Sequence, residues 1–201
     1  MVRWEPGAKE RLQAAALELY VDRGLEQTTA ADVAAAAGLT ERTFFRYFAD
    51  KREVLFDGQE VLERAFTDGV ATAPADAAPL ATVASALAGA AGFFSDERRE
   101  HSRRRQSVID AHAALREREL LKLASLAGTV AEALRRRGVD EPAATLAAEA
   151  GLAVFKVAFA QWIADGETRS MDDITGALTA ELASMGAGLR AADAAGPAPA
   201  R

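Results

Sequence analysis

Arg42, Thr43, Arg46 and Tyr47 lie within one stretch of six residues, and Lys51 follows shortly after. A guanidinium can donate two parallel hydrogen bonds to guanine. A threonine can touch a base edge or a thymine methyl, and tyrosine and lysine suit phosphate oxygens. That chemistry is nucleic-acid recognition, provided the side chains leave a single face of a single element. Phe44 and Phe48 are four residues apart and share a helical face, so they are expected to point inward and leave Arg42, Thr43, Arg46 and Tyr47 on the other side.

The elements that would hold these groups can be read on either side. Thr29 with Asp32 makes a helix-start pair, in which the hydroxyl accepts a backbone N–H and the carboxylate favours the positive helix end. The helix that follows presents Val33, Ala34 and Ala37 on one face, where small side chains allow a close helix crossing. Gly38 suits a helix ending in a left-handed backbone conformation. Leu39 can plug the core, and Thr40 can cap a second helix from Glu41 to about Phe48. In a helix–turn–helix the second helix enters the major groove with its N-terminal residues on base edges. Asp50 and Glu53 form another capping pair, so a further helix is expected there. Its free N–H groups and Lys51 would make a phosphate seat. Upstream, Ala8 to Arg23 reads as a helix with Leu12, Ala15, Ala16 and Leu19 at helical spacing, and Gly24 ends it.

The run from Thr28 to Lys51 resembles the headpiece of the TetR family of bacterial one-component regulators. The family pattern is roughly threonine, an Ile-Ala pair, Ala-Gly, Val-Ser, then Thr-aromatic-Tyr-x-x-Phe-x-x-Lys. This chain has Thr29, Val33-Ala34, Ala37-Gly38, Leu39-Thr40, Thr43-Phe44-Phe45, Phe48 and Lys51. The match extends back through Leu12, Ala15, Leu19, Tyr20 and Gly24. It departs at Phe45, where the family often has a tyrosine whose hydroxyl binds phosphate. Losing that contact costs about 1 kcal/mol, and either Tyr47 replaces it or Phe45 packs. The resemblance implies DNA contacts from Thr29, Thr40, Arg42, Thr43, Phe45, Arg46, Tyr47 and Lys51.

Composition sets the limits. The chain has 201 residues, half of them hydrophobic, a net charge of −6, two histidines and no cysteine. Disulfides and cysteine metal sites are excluded, and no metal or other cofactor is expected. No apolar run is read as reaching membrane-span length and the N-terminus lacks a signal-peptide pattern, so a cytoplasmic protein is expected. The acidic balance argues against a generally basic, sticky protein and leaves a local basic face at Arg42, Arg46, Lys51 and Arg52. No Gly-rich phosphate loop, nucleophile elbow, metal-ligand cluster or recognisable carboxylate pair is present, so an enzyme is not expected. A helical adaptor that binds protein through its final helices is the alternative, and oligomeric state would separate the two.

The rest reads as long apolar-periodic helices. One is expected from Lys51 to about Val70, with Gly58 either tolerated inside it or acting as a hinge. Ala71 to Pro79 reads as a loop. Leu80 to Phe94 forms a helix, and an arginine-crowded segment from Arg98 to Arg105 follows. That segment is a solvated face, an anion site or a second DNA contact. Leu115 to Arg137 should bury Leu120, Leu123, Ala127, Val130 and Leu134. The helix from Asp140 to about Asp165 carries an aromatic edge of Phe155, Phe159 and Trp162. Its Lys156 snorkels, pairs with Glu149 or meets a ligand. Ser170 and Asp173 cap a last helix to about Leu189, with Ile174, Leu178, Leu182, Met185 and Leu189 in its stripe.

The expected fold is therefore all-α. Residues 1–50 form a helix-turn-helix three-helix DNA-binding domain, residues 51–190 a helical ligand-binding and dimerisation domain, and residues 191–201 a disordered tail. The resemblance implies a homodimer joined through the last two helices, bound to a palindromic double-stranded DNA operator. It also implies a repressor released by a small hydrophobic effector, and the segments around Glu41–Leu55 and RRRQSVIDAHAALREREL resemble regulators that sense acyl-CoA-like molecules. Candidate pocket residues are Phe93, Arg105, Ile109, His112, Phe155, Phe159 and Trp162, with Arg105 for an acidic end.

Overall fold

The computed structural model describes residues 7–194, with side chains through Ala187. Every regular element among them is helical: α1 (Ala8–Arg23), α2 (Ala30–Ala36), α3 (Glu41–Tyr47), a 3-10 turn (Glu53–Phe56), α4 (Gln59–Thr72), α5 (Pro79–Ala91), α6 (Asp96–Asp110), α7 (Ala113–Arg136), α8 (Ala143–Trp162) and α9 (Met171–Ala194). The described residues divide into two compact units, cut between Val61 and Leu62, between Arg99 and Glu100 and between Lys122 and Leu123. Residues 51–61 and 100–122 thus pack with the N-terminal helices, across the boundary expected after residue 50.

The first unit is built on α1, which packs against α2, α3 and the 3-10 turn. Its buried positions are Leu12, Ala16, Leu17 and Tyr20, at helical spacing. They meet Val33 and Ala34 of α2, Phe44 and Phe48 around α3, and Val54, Leu55 and Phe56 of the turn. Phe44 is fully buried, and burying such a side chain contributes roughly 1.5–3 kcal/mol. Val108, Ile109 and Leu115 complete this core. The Tyr20 hydroxyl donates to the Lys51 carbonyl at 2.6 Å. Burial, with Asp50 nearby, pushes its pKa up.

The continuous helix expected from Lys51 does not form. A 3-10 turn ends at Phe56, Gly58 takes a φ of +89°, and α4 starts at Gln59. A positive φ is incompatible with a helix interior, so Gly58 is a break and not a tolerated helical residue. Asp57 secures the break from outside, receiving Lys9 at 2.6 Å and the Gln13 amide at 2.8 Å.

In the second unit α5, α8 and α9 pack against one another. Phe66, Val83, Leu87, Val130, Leu134, Leu152, Phe155, Trp162 and Ile174 lie in its core. Glycines allow close helix approach. A Cβ on Gly69 of α4 would stand 2.5 Å from the Ala86 Cα of α5, and one on Gly151 of α8 would collide with the Val83 Cγ1.

The expectation that no apolar run reaches membrane-span length is corrected by α8, which is long and apolar enough by length and composition. Its apolar character has a packing cause, since Ala144, Ala147, Ala148, Gly151, Leu152, Phe155, Ala158 and Trp162 are buried in this core. Leu120, expected inside, is 63% exposed, while Leu115 five residues earlier, on a different side of the helix, is fully buried. Leu146, Val157 and Met185 are also exposed. The last helix continues through Ala194, so residues 191–194 are helical where a tail was expected; the rest of that tail, the arm before Gly7 and the Leu189 side chain lie outside the described residues and side chains.

Candidate nucleic-acid interface

Local chemistry sets the edges of the turn between α2 and α3. Thr29 caps α2 in a reciprocal box: its Oγ1 accepts from Asp32 N at 3.1 Å, and Asp32 Oδ2 accepts from Thr29 N at 2.8 Å. Hydrogen bonds from the Thr29 hydroxyl and backbone N–H hold the Asp32 pKa below its ordinary value. At the other end Gly38 has a φ of +68°. Gly38 N donates to Ala35 O at 3.0 Å and Leu39 N to Ala34 O at 2.8 Å, the two bonds of a Schellman motif. Thr40 then caps α3, accepting from Thr43 N at 3.2 Å, and its hydroxyl pairs with that of Thr43 at 2.9 Å.

With Phe44 and Phe48 buried, α3 presents Arg42, Phe45, Arg46 and Tyr47 to the outside. Phe45 is 53% exposed, its ring set edge-on against Phe44 at 5.3 Å. Its ring therefore does not pack into the core. Arg46 and Tyr47 are preorganised as a pair, through a 3.0 Å hydrogen bond from Arg46 Nη2 to the tyrosine hydroxyl and a guanidinium 4.8 Å from the ring centroid. Thr29 and Thr40 are exposed, and their hydroxyls serve as caps.

Lys51 has a different setting from the one its position suggested. Its ammonium donates to Leu25 O at 2.8 Å, Thr28 O at 2.9 Å and Glu26 O at 3.4 Å. All three donors tie the loop before α2 to the segment after α3. Asp50 accepts from Arg52 N at 2.7 Å and Glu53 N at 3.0 Å, as its capping role required. Its second partner, Arg118 of α7, comes from 68 residues further along the chain, beyond the reach of any local signal. That guanidinium lies 3.1 Å from Asp50 Oδ2 and 2.8 Å from Glu53 Oε1, with Lys122 3.3 Å from Glu53. Burial raises the Asp50 pKa, but Arg118 and the two backbone N–H groups outweigh it and the net shift is downward.

The arginine-rich segment is engaged within the protein. Arg98 stacks on Phe93, Arg99 donates to Glu167 O and Arg169 O, Arg103 pairs with Glu100, and Arg104 pairs with Glu18 at 2.6 Å. Arg105 donates its Nε to Leu55 O and lies 3.5 Å from Glu119 and over the Phe56 ring. Burial pulls its pKa down and Glu119 opposes that. A small cavity of about 40 Å³ beside Arg105 is lined by Gln13, Leu17, Val54, Leu55, Asp57 and His101.

The candidate pocket residues fall into two groups. Arg105, Ile109 and His112 belong to the first unit, with Ile109 fully buried and His112 Nδ1 2.8 Å from Val108 O. Phe93, Phe155, Phe159 and Trp162 belong to the second. Phe94, next to the expected Phe93, is the hub there, 5.5 Å from Phe155 and 5.6 Å from both Phe159 and Trp162. Phe93 meets Phe94 and Arg98 instead. The Phe-Phe dipeptide marks the place without saying which ring turns inward. Trp162 is fully buried, and its Nε1, like Thr175 Oγ1, has no hydrogen-bond partner among the described residues.

Comparison with known proteins agrees with this architecture. The family model described as bacterial regulatory proteins, tetR family, matches residues 12–57, and that described as MftR C-terminal domain matches residues 77–190. The HTH-type transcriptional regulator TcmR of Streptomyces glaucescens is 34% identical over 88 residues. The matched stretch is 44% of this chain and only 39% of that relative's length. The fold is similar to that of a putative TetR-family transcriptional regulator from Syntrophomonas wolfei, with a TM-score of 0.63 at 16% identity, over 90% of this chain and 96% of that one. It is also similar to NalD, the secondary repressor of the MexAB-OprM multidrug efflux pump in Pseudomonas aeruginosa, with a TM-score of 0.57 at 17% identity, over 85% and 91% of the two chains. With a capped helix–turn–helix in one unit, a helical second unit and family models matching both, the chain belongs to the tetR family of bacterial regulatory proteins and is a DNA-binding transcriptional regulator.

Proposed function

We propose that the protein is a ligand-responsive repressor that acts in the cytoplasm as a homodimer on a palindromic operator and is released by a small hydrophobic effector. The observation that carries this reading is the outer face of α3, where Arg42, Phe45, Arg46 and Tyr47 stand exposed over a buried Phe44 and Phe48. Arg42 and Arg46 are assigned to base edges or phosphates, Tyr47 to phosphate, Phe45 to an apolar contact, and Thr40 and Thr43 to the N-terminal rim of the helix. Thr29 and Lys51 contribute by holding the turn, through their cap and carbonyl bonds. Residues 1–50 would thus make the DNA contacts.

Residues 51–190 are assigned effector binding and dimerisation. The exposed Leu146, Val157 and Met185 on α8 and α9 support a self-associating face. The aromatic cluster of Phe94, Phe155, Phe159 and Trp162 supports an apolar effector, an acyl chain or another hydrophobic body. An unpartnered buried donor costs about 1–3 kcal/mol, so an acceptor oxygen on the effector, placed at Trp162 Nε1, would relieve that penalty. Arg105 already has Glu119 and Leu55 O as partners and is not assigned an effector's acidic end. Effector binding need only favour the DNA-free state by about 1–3 kcal/mol, a typical coupling.

Selection of bound duplexes from a random pool with purified protein tests the reading. An enriched palindrome is expected, and Arg42→Ala should weaken binding to it by about 1–3 kcal/mol with unchanged far-UV circular dichroism. Folded protein that enriches no sequence at low salt overturns it.

A further inference from the structure

The outer face of α8 carries an unusual charge pattern. Leu146, Glu149, Ala153, Lys156, Val157 and Ala160 follow one another at intervals of three, four, three, one and three residues, and all are exposed. At 100° per residue they occupy a single stripe. The opposite side of the helix is buried in the core. The stripe is apolar except for one anion and one cation. Glu149 and Lys156 are seven residues apart, about 10 Å along the axis. That is too far for them to meet on one helix, and among the described residues no ion pair joins them or takes either elsewhere.

On a helical wheel Glu149 and Lys156 lie on the same side of the stripe, only about 20° apart. Their midpoint falls between Leu152 and Ala153. A two-fold rotation about an axis perpendicular to the helix through that midpoint keeps the side and reverses the height. It therefore sets Glu149 of one copy opposite Lys156 of the other, and Lys156 opposite Glu149. A parallel arrangement would instead bring each charge to the level of its own duplicate. We infer that α8 pairs antiparallel with α8 of a second copy of this chain, in a register set by two symmetric Glu149–Lys156 ion pairs flanking the small side chain of Ala153. The inference rests on the homodimer reading above, which already places the self-associating face on α8 and α9, and adds to it the direction and the register.

The charges flank an apolar stripe, so covering it removes them from water and makes mismatched charges costly. Reversing one charge gives each copy two like charges, so a homodimer of that variant sets four like charges against one another. Reversing both restores complementarity. Mixing the two single variants does so as well, because one presents only cations and the other only anions.

The test is analytical ultracentrifugation of the full chain. Glu149→Lys and Lys156→Glu are each expected to raise the dimer dissociation constant by about tenfold or more. The double reversal should return it to near the wild-type value, and an equimolar mixture of the single variants should form heterodimer in preference to either homodimer. Both sites are exposed, and a thermal melt checks that each variant is folded; Glu149→Gln and Lys156→Gln, with smaller expected losses, stand in for any that is not. A dimer whose dissociation constant ignores both single reversals overturns the α8 register and leaves the homodimer standing. A wild-type chain that is monomeric at every concentration overturns the homodimer and the register together.

Discussion

At the scale of single residues, Phe45 is the sharpest departure from the pattern of related headpieces. The ring stays on the surface, held edge-on by Phe44, with no hydroxyl to reach a phosphate. Phe45→Tyr adds that hydroxyl without disturbing the packing beneath. It should tighten operator binding roughly fivefold, the equivalent of about 1 kcal/mol for one hydrogen bond, as read by fluorescence anisotropy at fixed salt. Unchanged affinity would place the ring away from phosphate. Asp50 makes a second prediction. Its pKa is held down in the folded state, so its contribution to stability is full above the ordinary aspartate range near pH 4 and is lost as pH falls through the lowered value. Asp50→Asn keeps an acceptor for the Arg52 and Glu53 N–H groups while removing the charge that faces Arg118. Urea unfolding of the wild type should weaken between pH 5 and 2 more steeply than that of the variant, on an order-of-magnitude scale set by a partly exposed pair. Parallel pH profiles would remove Asp50 from the account.

At the scale of elements, two glycines have opposite reasons. Gly58 is needed for its backbone, since a φ of +89° separates the 3-10 turn from α4. Gly69 is helical and is needed for its absent side chain, because α5 comes within van der Waals range of its Cα. Replacing Gly by Ala in a helix interior gains about 1 kcal/mol from propensity, while overpacking a close contact against backbone costs about 1–3 kcal/mol. The contact at Gly69 is with the Ala86 backbone, which cannot rotate away, so the second effect wins. Gly69→Ala should lower the thermal midpoint, and a raised midpoint would show that α4 and α5 separate without penalty. The arginine-rich α6 teaches a related lesson. Its cations looked available for an anion, but each is engaged with a carboxylate, a carbonyl or a ring supplied by packing.

Across the molecule, the all-helical class, the helix–turn–helix and most helix ends follow from residues close together in the chain. These rest on local physics: 3.6-residue periodicity, the Thr29–Asp32 and Ser170–Asp173 caps, and glycines at Gly24, Gly38 and Gly138 where φ must be positive. The outward face of α3 was legible for the same reason, because Phe44 and Phe48 share one helical side. Packing between remote segments settled what depends on partners distant in the chain. It took up all three Lys51 donors with carbonyls of residues 25–28, brought Arg118 to Asp50, and turned Phe94 rather than Phe93 into the aromatic cluster. It left Leu120 exposed, and it joined residues 100–122 to the N-terminal helices. Periodicity says that a side chain has an apolar face to hide, but only the packing of remote segments says against what, and which of two equivalent neighbours is the one that hides.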